Sequence, residues 1–266
     1  MIQSPTEKLI AAKDGAIGWL TFNNPARRNA LSIDMWEGIP VVMAQFEADP
    51  EIRVIVLRGT REAKAFISGA DISEFEKRRA TNRDAAGYSE TSANAFGAVE
   101  HARKPTIAMI EGYCLGGGLA FAMSCDIRLA GEGSRFSIPA AKLGLGYGWP
   151  GVKKLIDLTN PAYAKEIFLT ARQFNAAEAH QMGLLNRVMP EAELEAYTRN
   201  YCALIADNAP LTIAAIRAAA EEIGRTDGEI DTKRLDAMVA SCFDSVDYKE
   251  GRNAFLEKRK PQFKGR

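Results

Sequence analysis

The sequence predicts an α/β fold followed by a helical region, on two observations. Through the first two thirds of the 266 residues, short apolar runs typical of buried strands alternate with helical patterns. From Glu191 to Lys258 only helical periodicity continues, in roughly three segments that include the Ala-rich run 214–220. We therefore expect a main body over residues 1–195 and a helical region over 196–266, whose exposed apolar face would favour self-association.

The first elements are predicted by local patterns. Residues 8–12 and 17–22 form a hairpin around Asp14-Gly15, which is a strong turn signal. The loop N-N-P-A-R-R-N-A-L-S follows, and its last residue, Ser32, is expected to cap a helix over residues 33–48. A buried parallel strand is then expected at residues 54–57, because this run is short and β-branched.

The next segment is predicted to be largely irregular. Residues 60–72 indicate a polar loop that ends on the apolar pair Phe66-Ile67. Residues 73–89 are dense in charge and lack periodicity, so we expect a mobile surface segment that could cover a ligand. A helix is predicted from about Thr91 to Arg103.

A glycine triplet then marks a candidate binding site. In T-I-A-M-I-E-G-Y-C-L-G-G-G-L-A-F-A-M-S-C-D, residues 106–126, an apolar strand pattern gives way to a helical one at Gly116-Gly117-Gly118. The first N–H groups of a helix lack intrahelical partners and carry partial positive charge. An oxyanion could lie against the amide of Gly117, although close backbone packing alone would also explain the glycines. No Lys-Ser/Thr follows, so a phosphate loop is excluded.

Composition excludes several classes of partner. Lys and Arg total 34, as do Asp and Glu, so no net charge recruits nucleic acid or an anionic membrane. The four cysteines show no zinc or disulfide spacing, and the N-terminus lacks a secretory core. The chain is expected to be cytoplasmic, without a metal and without a membrane span.

Four segments together resemble the enoyl-CoA hydratase/isomerase family, also called the crotonase family. They are N-N-P-A-R-R-N-A-L-S, K-A-F-I-S-G-A-D-I, the segment K-P-T-I-A-M-I-E-G-Y-C-L-G-G-G-L-A-F-A-M-S-C-D-I, and the terminal F-L-E-K-R-K-P-Q-F. The resemblance implies a spiral of ββα units with a C-terminal helical trimerisation region, assembled as a homotrimer or hexamer. It also implies an acyl-CoA thioester as the ligand, with coenzyme A as part of the substrate and no separate cofactor.

The resemblance further implies which residues form the site. The backbone N–H groups of Ala70 and Gly117 would form an oxyanion hole for the thioester carbonyl. The substrate-binding set that matches the family motifs is Arg28, Ala30, Leu31, Ser68, Ala70, Asp71, Ile72, Ser73, Gly116, Gly117, Phe255 and Lys258, of which the last two could serve a neighbouring subunit.

Two positions depart from the family's hydratases, which use a pair of glutamates. Ala120 and Ala140 stand at the matching positions, so both carboxylates are missing. General acid and base groups typically contribute about 10²- to 10⁴-fold to rate. A chain without either group is therefore expected to be a poor hydratase unless another residue substitutes.

The substitutes considered from the sequence are few. Tyr147 borders the segment expected to line the acyl pocket and is a candidate catalytic residue, although an aromatic packed beneath a Gly-rich loop explains it as well. A structural or solvated role is expected for the other polar candidates Glu74, Glu111, Asp126, His101 and His180. Arg27, Arg28 and Lys64 could meet the phosphates of coenzyme A, although solvated surface charge is the default for each.

Three functional hypotheses follow. The first is an acyl-CoA enzyme classed as an enoyl-CoA hydratase, with decarboxylation of a malonyl-type thioester or isomerisation as a different reaction of the same site. The second is a protein that binds acyl-CoA without turnover. The third, nucleic-acid binding, is disfavoured by the balanced charge.

Overall fold

The computed structural model describes residues 2–71, 82–224 and 228–266. The strands are β1 Leu9–Asp14, β2 Ile17–Phe22, β3 Val54–Gly59, β4 Ala65–Ile67, β5 Thr106–Ile110, β6 Tyr113–Leu115, β7 Ile127–Gly131, β8 Arg135–Ser137, β9 Phe174–Asn175 and β10 Arg187–Met189. The helices are α1 Ile33–Ala48, α2 Asn82–Glu100, α3 Gly117–Ser124, α4 Trp149–Leu158, α5 Pro161–Thr170, α6 Ala176–Gln181, α7 Glu191–Ala206, α8 Pro210–Gly224, α9 Thr232–Asp244 and α10 Val246–Leu256.

The ten described strands form two separate sheets. The larger sheet has the order β1-β2-β3-β5-β7-β10 and is parallel except for the β1-β2 hairpin. The smaller sheet has the order β4-β6-β8-β9, with only β8-β9 antiparallel. Successive strand pairs β3/β4, β5/β6 and β7/β8 each place one strand in each sheet. This arrangement confirms the expected α/β spiral of ββα units.

The main hydrophobic core lies between the sheets and helices α1, α2 and α3. It contains fully buried aromatic side chains from many elements, among them Phe22, Phe46, Phe66, Phe121 and Phe136. A second core on the other face of the larger sheet is closed by α7, which buries Leu194 and Cys202 there. Residue 195, the expected end of the main body, thus lies inside a helix that packs on the sheet.

Several local predictions are confirmed and several are wrong. The hairpin, α1, β3 and the central strand β5 lie where predicted, and Gly15 takes a positive φ of 57° in the turn. Ser32 occupies the N-cap position of α1, but its side chain accepts no backbone N–H. Its Oγ instead donates to Asp34 and accepts from Lys8 Nζ at 3.0 Å.

The segment before the central strand differs most from expectation. The pair Phe66-Ile67 belongs to strand β4 rather than to a loop. Helix α2 begins at Asn82, not near Thr91, and ends at Glu100. Tyr88 of this helix is buried, so the side that carries it faces the core and not solvent. The remainder of the expected mobile segment, residues 73–81, lies outside the described residues.

The C-terminal part of the chain forms four helices in the described residues, α7 to α10, rather than three segments. Among these and the other described helices, none alone has the length and apolar character to span a membrane; α7 and α8 would meet the test only as a pair bent by 103°. The side chain of Arg217 in α8 joins this region to the main body, since Nε lies 2.8 Å from Asp126 Oδ1.

Candidate active site

The glycine triplet lies against the segment that follows β4. A side-chain carbon built on Gly117 would lie 3.6 Å from the backbone nitrogen of Ala70 and 3.8 Å from the carbonyl carbon of Gly69. Gly117 is the first residue of α3, where N–H groups have no intrahelical acceptor. Within the described part of the chain, no hydrogen bond is donated by the backbone N–H of Ala70 or of Gly117. Two donors from distant segments are thus adjacent and unused.

The three positions of the triplet differ in why they hold a glycine. Gly116 adopts φ 51° and ψ −114°, a conformation that residues with a side chain rarely adopt. At Gly118 a side-chain carbon would lie 2.2 Å from the carbonyl oxygen of Ile67, so this glycine permits close packing of α3 on β4. Gly117 has neither restriction, because its added carbon would make only ordinary contacts. Both sequence interpretations, close packing and open donors, therefore apply, but to different glycines.

Backbone hydrogen bonds join the loop after β2 to the segment after β4. Ser68 N donates to Arg28 O at 3.1 Å, Leu31 N to Gly69 O at 2.9 Å, and Asp71 N to Leu31 O at 2.9 Å. Leu31 and Ala70 form an isolated parallel bridge. The structure therefore brings together the predicted residues Arg28, Ala30, Leu31, Ser68, Ala70, Asp71, Gly116 and Gly117.

A buried asparagine organises this loop. Asn29 is fully buried with φ 56°, its Nδ2 donates to Ala65 O at 2.8 Å, and its Oδ1 accepts from Asn24 N at 2.8 Å. Positive φ is uncommon outside glycine, and asparagine tolerates it best among larger residues. Asn29 thus ties the loop to β4, which precedes Ala70.

Positive side chains lie at the edge of this arrangement. The Arg28 guanidinium carbon lies 5.1 Å from the centre of the Tyr113 ring, in a cation–π contact. Arg27 Nη1 lies 3.8 Å from Asp71 Oδ1. Ile72 and Ser73, also predicted to bind substrate, lie outside the described residues.

The two positions without glutamate lie on the elements around Gly116. Ala120 is half-buried in the first turn of α3, and its N–H donates to Gly116 O at 3.1 Å. Ala140 is buried in the 3-10 turn Pro139–Leu143, which follows β8. Gly116 N donates to Ser137 O at 2.8 Å, so this turn is adjacent to the triplet. Neither methyl group can transfer a proton.

Tyr147 is partly buried in the segment that joins this turn to α4. Its ring centre lies 4.8 Å from that of Phe168, and a side-chain carbon on Gly151 would lie 2.5 Å from its Cε1. Burial raises the pKa of the Tyr147 phenol above its usual value of 10.0. The phenol is therefore neutral at neutral pH and can donate a hydrogen bond, but it is a poor base.

The other polar candidates have structural partners. Burial raises the pKa of Glu111, which lies 3.7 Å from Arg61 Nε. Asp126 Oδ2 accepts from the Thr106 backbone N–H at 2.8 Å, in addition to its contact with Arg217.

The two histidines have partners outside the glycine triplet, and Lys64 lies in a separate turn. His101 Nδ1 contacts Glu221, and His180 Nδ1 lies 2.9 Å from Leu185 O. Lys64 adopts φ 51° at the end of a 3-10 turn. Glu74 lies outside the described residues. No group of three or more His, Cys, Asp or Glu in the described chain is arranged to hold a metal ion.

Phe255 and Lys258 are not brought to the triplet by their own chain. Phe255 is 84% exposed and lines a separate apolar groove of about 820 Å³ between α8, α9 and α10. Lys258 follows α10 with φ 54°. Their predicted contact with coenzyme A stays a prediction about a neighbouring subunit.

Sequence reasoning did not single out Trp36, which borders the triplet. Its Cη2 lies 3.9 Å from a side-chain carbon built on Gly117. Its Nε1 is buried without an acceptor in the described structure, which typically costs about 1–3 kcal/mol. The helical apolar pattern of α1 predicts that Trp36 is buried, but it contains no signal of what the indole touches.

Comparison with known proteins identifies the family. The family model described as enoyl-CoA hydratase/isomerase matches residues 12–266. A short-chain-enoyl-CoA hydratase of Clostridium acetobutylicum is 35% identical over 97% of this chain and 98% of its own length. The methylmalonyl-CoA decarboxylase of Escherichia coli K12 is 34% identical over 92% of this chain and 94% of its own length.

The solved structures agree with the sequence comparisons. An enoyl-CoA hydratase/isomerase family protein from Hyphomonas neptunium superposes with a TM-score of 0.93 at 36% identity, covering 99% of this chain and 100% of that protein. The chain therefore belongs to the enoyl-CoA hydratase/isomerase, or crotonase, family, and is an acyl-CoA enzyme of that type.

Proposed function

We propose that this enzyme stabilises the enolate of an acyl-CoA thioester with the backbone N–H groups of Ala70 and Gly117. The observation that carries the proposal is their adjacency, since a carbon on Gly117 would lie 3.6 Å from the nitrogen of Ala70. Both donors lack protein acceptors in the described structure. Fixed donors aimed at a developing oxyanion typically contribute about 10²- to 10³-fold to the rate. The dipole of α3 adds partial positive charge at the same end.

The reaction that fits these donors best is decarboxylation of a malonyl-type thioester. The bond between the α-carbon and the carboxylate breaks, CO₂ leaves, and the electron pair becomes the enolate whose charge rests on the thioester oxygen. A proton from water then reaches the α-carbon, which leaves a saturated acyl-CoA. No general base is needed, which suits a site with Ala120 and Ala140 in place of the two carboxylates. The neutral Tyr147 phenol would serve as a hydrogen-bond donor.

Hydration of an enoyl-CoA is the second candidate, because most of the curated relatives at similar identity bear that name. It requires a group that activates water and one that protonates the α-carbon. A decarboxylase stands among relatives of nearly the same identity, so identity does not choose between the reactions.

The coenzyme A part of the substrate would lie along the joined loops. Arg28 and Arg27 would offer positive charge to its phosphates, while Ala30, Leu31, Ser68 and Asp71 would line the channel. Assembly as a homotrimer or hexamer would place Phe255 and Lys258 of a partner near this channel. The exposed apolar groove of the C-terminal helices supports such an assembly.

The test compares substrates on the wild type and two glycine variants. Malonyl-CoA, methylmalonyl-CoA and crotonyl-CoA are each incubated with the protein, and products are identified by mass spectrometry. We expect acetyl-CoA from malonyl-CoA and propionyl-CoA from methylmalonyl-CoA. Hydration of crotonyl-CoA should be slower than these decarboxylations by about 100-fold or more. Gly117→Ala should lower turnover by about 10²-fold, because its methyl group covers the space beside the Ala70 amide.

Gly97→Ala in α2 is the matched control, since its added carbon would make ordinary contacts with the His101 ring, at 3.6 Å from Cδ2 and 4.0 Å from Nε2. This variant should keep wild-type turnover. Faster hydration than decarboxylation would favour the second candidate. Binding of acyl-CoA without any turnover would show a binding protein, and full activity of Gly117→Ala would contradict the assigned oxyanion donors.

A further inference from the structure

Trp36 forms one side of the space beside the two unused amides. Its Cη2 and the nitrogen of Ala70 lie 3.9 and 3.6 Å from the same point, the position of a side-chain carbon on Gly117. The edge of the six-membered ring therefore lies within van der Waals contact of any group that occupies this position. A thioester held by the amides would have its acyl carbons a few bonds from the same place.

The indole is held firmly in this position. It is 2% exposed and lies between Phe121 of α3, with ring centres 5.3 Å apart, and Phe96 of α2, at 5.2 Å. The Tyr88 ring lies 6.1 Å away in an edge-on arrangement. Close packing against aromatic neighbours from two helices restricts the movement of the ring. It acts as a fixed wall rather than as a gate.

Packing alone does not explain a tryptophan at this position, because its indole N–H is costly to bury. The indole N–H of Trp36 has no acceptor in the described structure, and a phenylalanine would fill the centre of the cluster without burying such a donor. What the larger ring adds is reach towards Gly117. Unsatisfied buried groups in native proteins call for an explanation of this kind.

We propose that Trp36 limits the acyl chain, so that the site accepts short-chain acyl-CoA thioesters and excludes medium-chain ones. This inference rests on the proposed function, because it assumes that the thioester carbonyl lies against Ala70 and Gly117. With the oxygen fixed there, the rigid indole occupies volume that a longer acyl chain would otherwise fill. Removing the ring opens that volume without touching either amide.

The test measures binding of two saturated esters, which the proposed reaction cannot consume. Dissociation constants of butyryl-CoA and octanoyl-CoA are determined by calorimetry for the wild type, Trp36→Leu and Trp36→Phe. The wild type should favour butyryl-CoA. Trp36→Leu should shift the ratio of the two constants towards octanoyl-CoA by about tenfold or more, and Trp36→Phe by about threefold.

Phe46→Leu is the matched control. Phe46 is a fully buried aromatic of the same helix, but its ring packs against Gly18 rather than against the triplet. Its replacement should lower the melting temperature while leaving the ratio unchanged. Trp36→Phe keeps a ring in the cluster, so it provides the answer if Trp36→Leu does not fold.

The outcomes separate this inference from the proposed function. If the wild type binds neither ester, or if Gly117→Ala does not change turnover, the proposed function is wrong. If the wild type binds and Gly117→Ala impairs turnover, but both Trp36 variants keep the wild-type ratio, the inference about Trp36 is overturned. An equal shift in Phe46→Leu would also overturn it, because the change would then reflect general loosening of the core.

Discussion

The main body and the C-terminal helices treat their large apolar side chains differently. In the main body the aromatic residues of the core are buried by its own elements, such as Phe22 against Phe66 with ring centres 5.6 Å apart. In the C-terminal helices Phe243 is 57% exposed, Leu256 75% and Phe255 84%. The core of the main body is closed by its own elements together with α7, whereas α8, α9 and α10 leave an open apolar groove of about 820 Å³ between them. Large apolar side chains therefore build the core in one region and, we infer, an interface in the other.

The largest expected effect tests how tightly the main body is packed. Gly118→Ala places a carbon 2.2 Å from the carbonyl oxygen of Ile67, so α3 must move away from β4. We expect a loss of about 3 kcal/mol or more in the free energy of unfolding, since overpacking against backbone cannot relax easily. Urea unfolding measures this loss.

The control is the same change in a C-terminal helix. Gly251→Ala of α10 would meet Phe263 Cε1 at 3.4 Å, an ordinary contact. The variant should be unchanged or stabilised by roughly 0.5–1 kcal/mol, because alanine is the better helix former. Equal losses in the two variants would contradict the view that only the main body is closely packed.

The second effect concerns the link between the two regions. Arg217 is 13% exposed at its side chain, contacts Asp126 at 2.8 Å and also donates to Glu100 O at 2.5 Å. Arg217→Met leaves the partly buried Asp126 carboxylate with Thr106 as its hydrogen-bond donor among the described residues, and should cost about 2 kcal/mol. Faster proteolysis of the C-terminal helices should accompany the loss.

A surface pair provides the comparison. Arg103 Nε lies 3.1 Å from Glu47 Oε2, but the Arg103 side chain is 80% exposed. Arg103→Met should change the free energy of unfolding by less than about 0.5 kcal/mol. If Arg217→Met changed the free energy of unfolding equally little, this ion pair would not hold the C-terminal helices to the main body, and apolar contacts would have to do so.

The third effect tests the exposed groove as an interface. Phe255→Ser with Leu256→Ser removes two exposed apolar side chains, so we expect weaker self-association by about tenfold or more in the dissociation constant, roughly 1.4 kcal/mol. Light scattering during gel filtration measures the mass. Val41→Ser, a 48% exposed position of α1, should leave the mass unchanged. Unchanged mass in the double variant would show that this groove is not the interface.

Local patterns were sufficient for part of this architecture. The hairpin, α1 and β3 were predicted because their turn signals, apolar spacing and β-branched runs lie within the segment itself. Strands β4 and β6 have three residues each, which is too short for any periodicity. The first turns of α2 are polar, and such a helix depends on tertiary packing rather than on its own sequence.

The candidate site was predicted in a different way. Ala70 and Gly117 were paired by resemblance to a family, since no property of either residue indicates that segments 47 positions apart meet. Trp36 was missed because apolar periodicity assigns a residue to the core without saying which neighbour it meets. Asn29, with its positive φ, likewise becomes informative only when β4 is placed beside its loop.

The smallest expected effect is a pH dependence within the main body. Burial alone would raise the pKa of Asp34, but hydrogen bonds from Ser32, Thr6 and Lys8 outweigh burial and lower it from 3.8 to about 2. Because the folded pKa lies below the unfolded one, this group stabilises the fold above about pH 4. That contribution is lost as the pH falls through 2. The side chain is 41% exposed, so screening by solvent reduces the contribution to about 1 kcal/mol.

Asp34→Asn should therefore flatten the fall of the unfolding free energy between pH 4 and pH 2, as measured by urea unfolding at several pH values. The C-terminal counterpart is Glu250, whose pKa is held at about 2, chiefly by its hydrogen bonds with Arg259. Glu250→Gln should flatten the same slope to a similar extent, because its pKa is lowered to a similar value and its side chain is 21% exposed. A larger change from Glu250 than from Asp34 would mean that assembly covers the C-terminal pair, and would place α10 inside an interface.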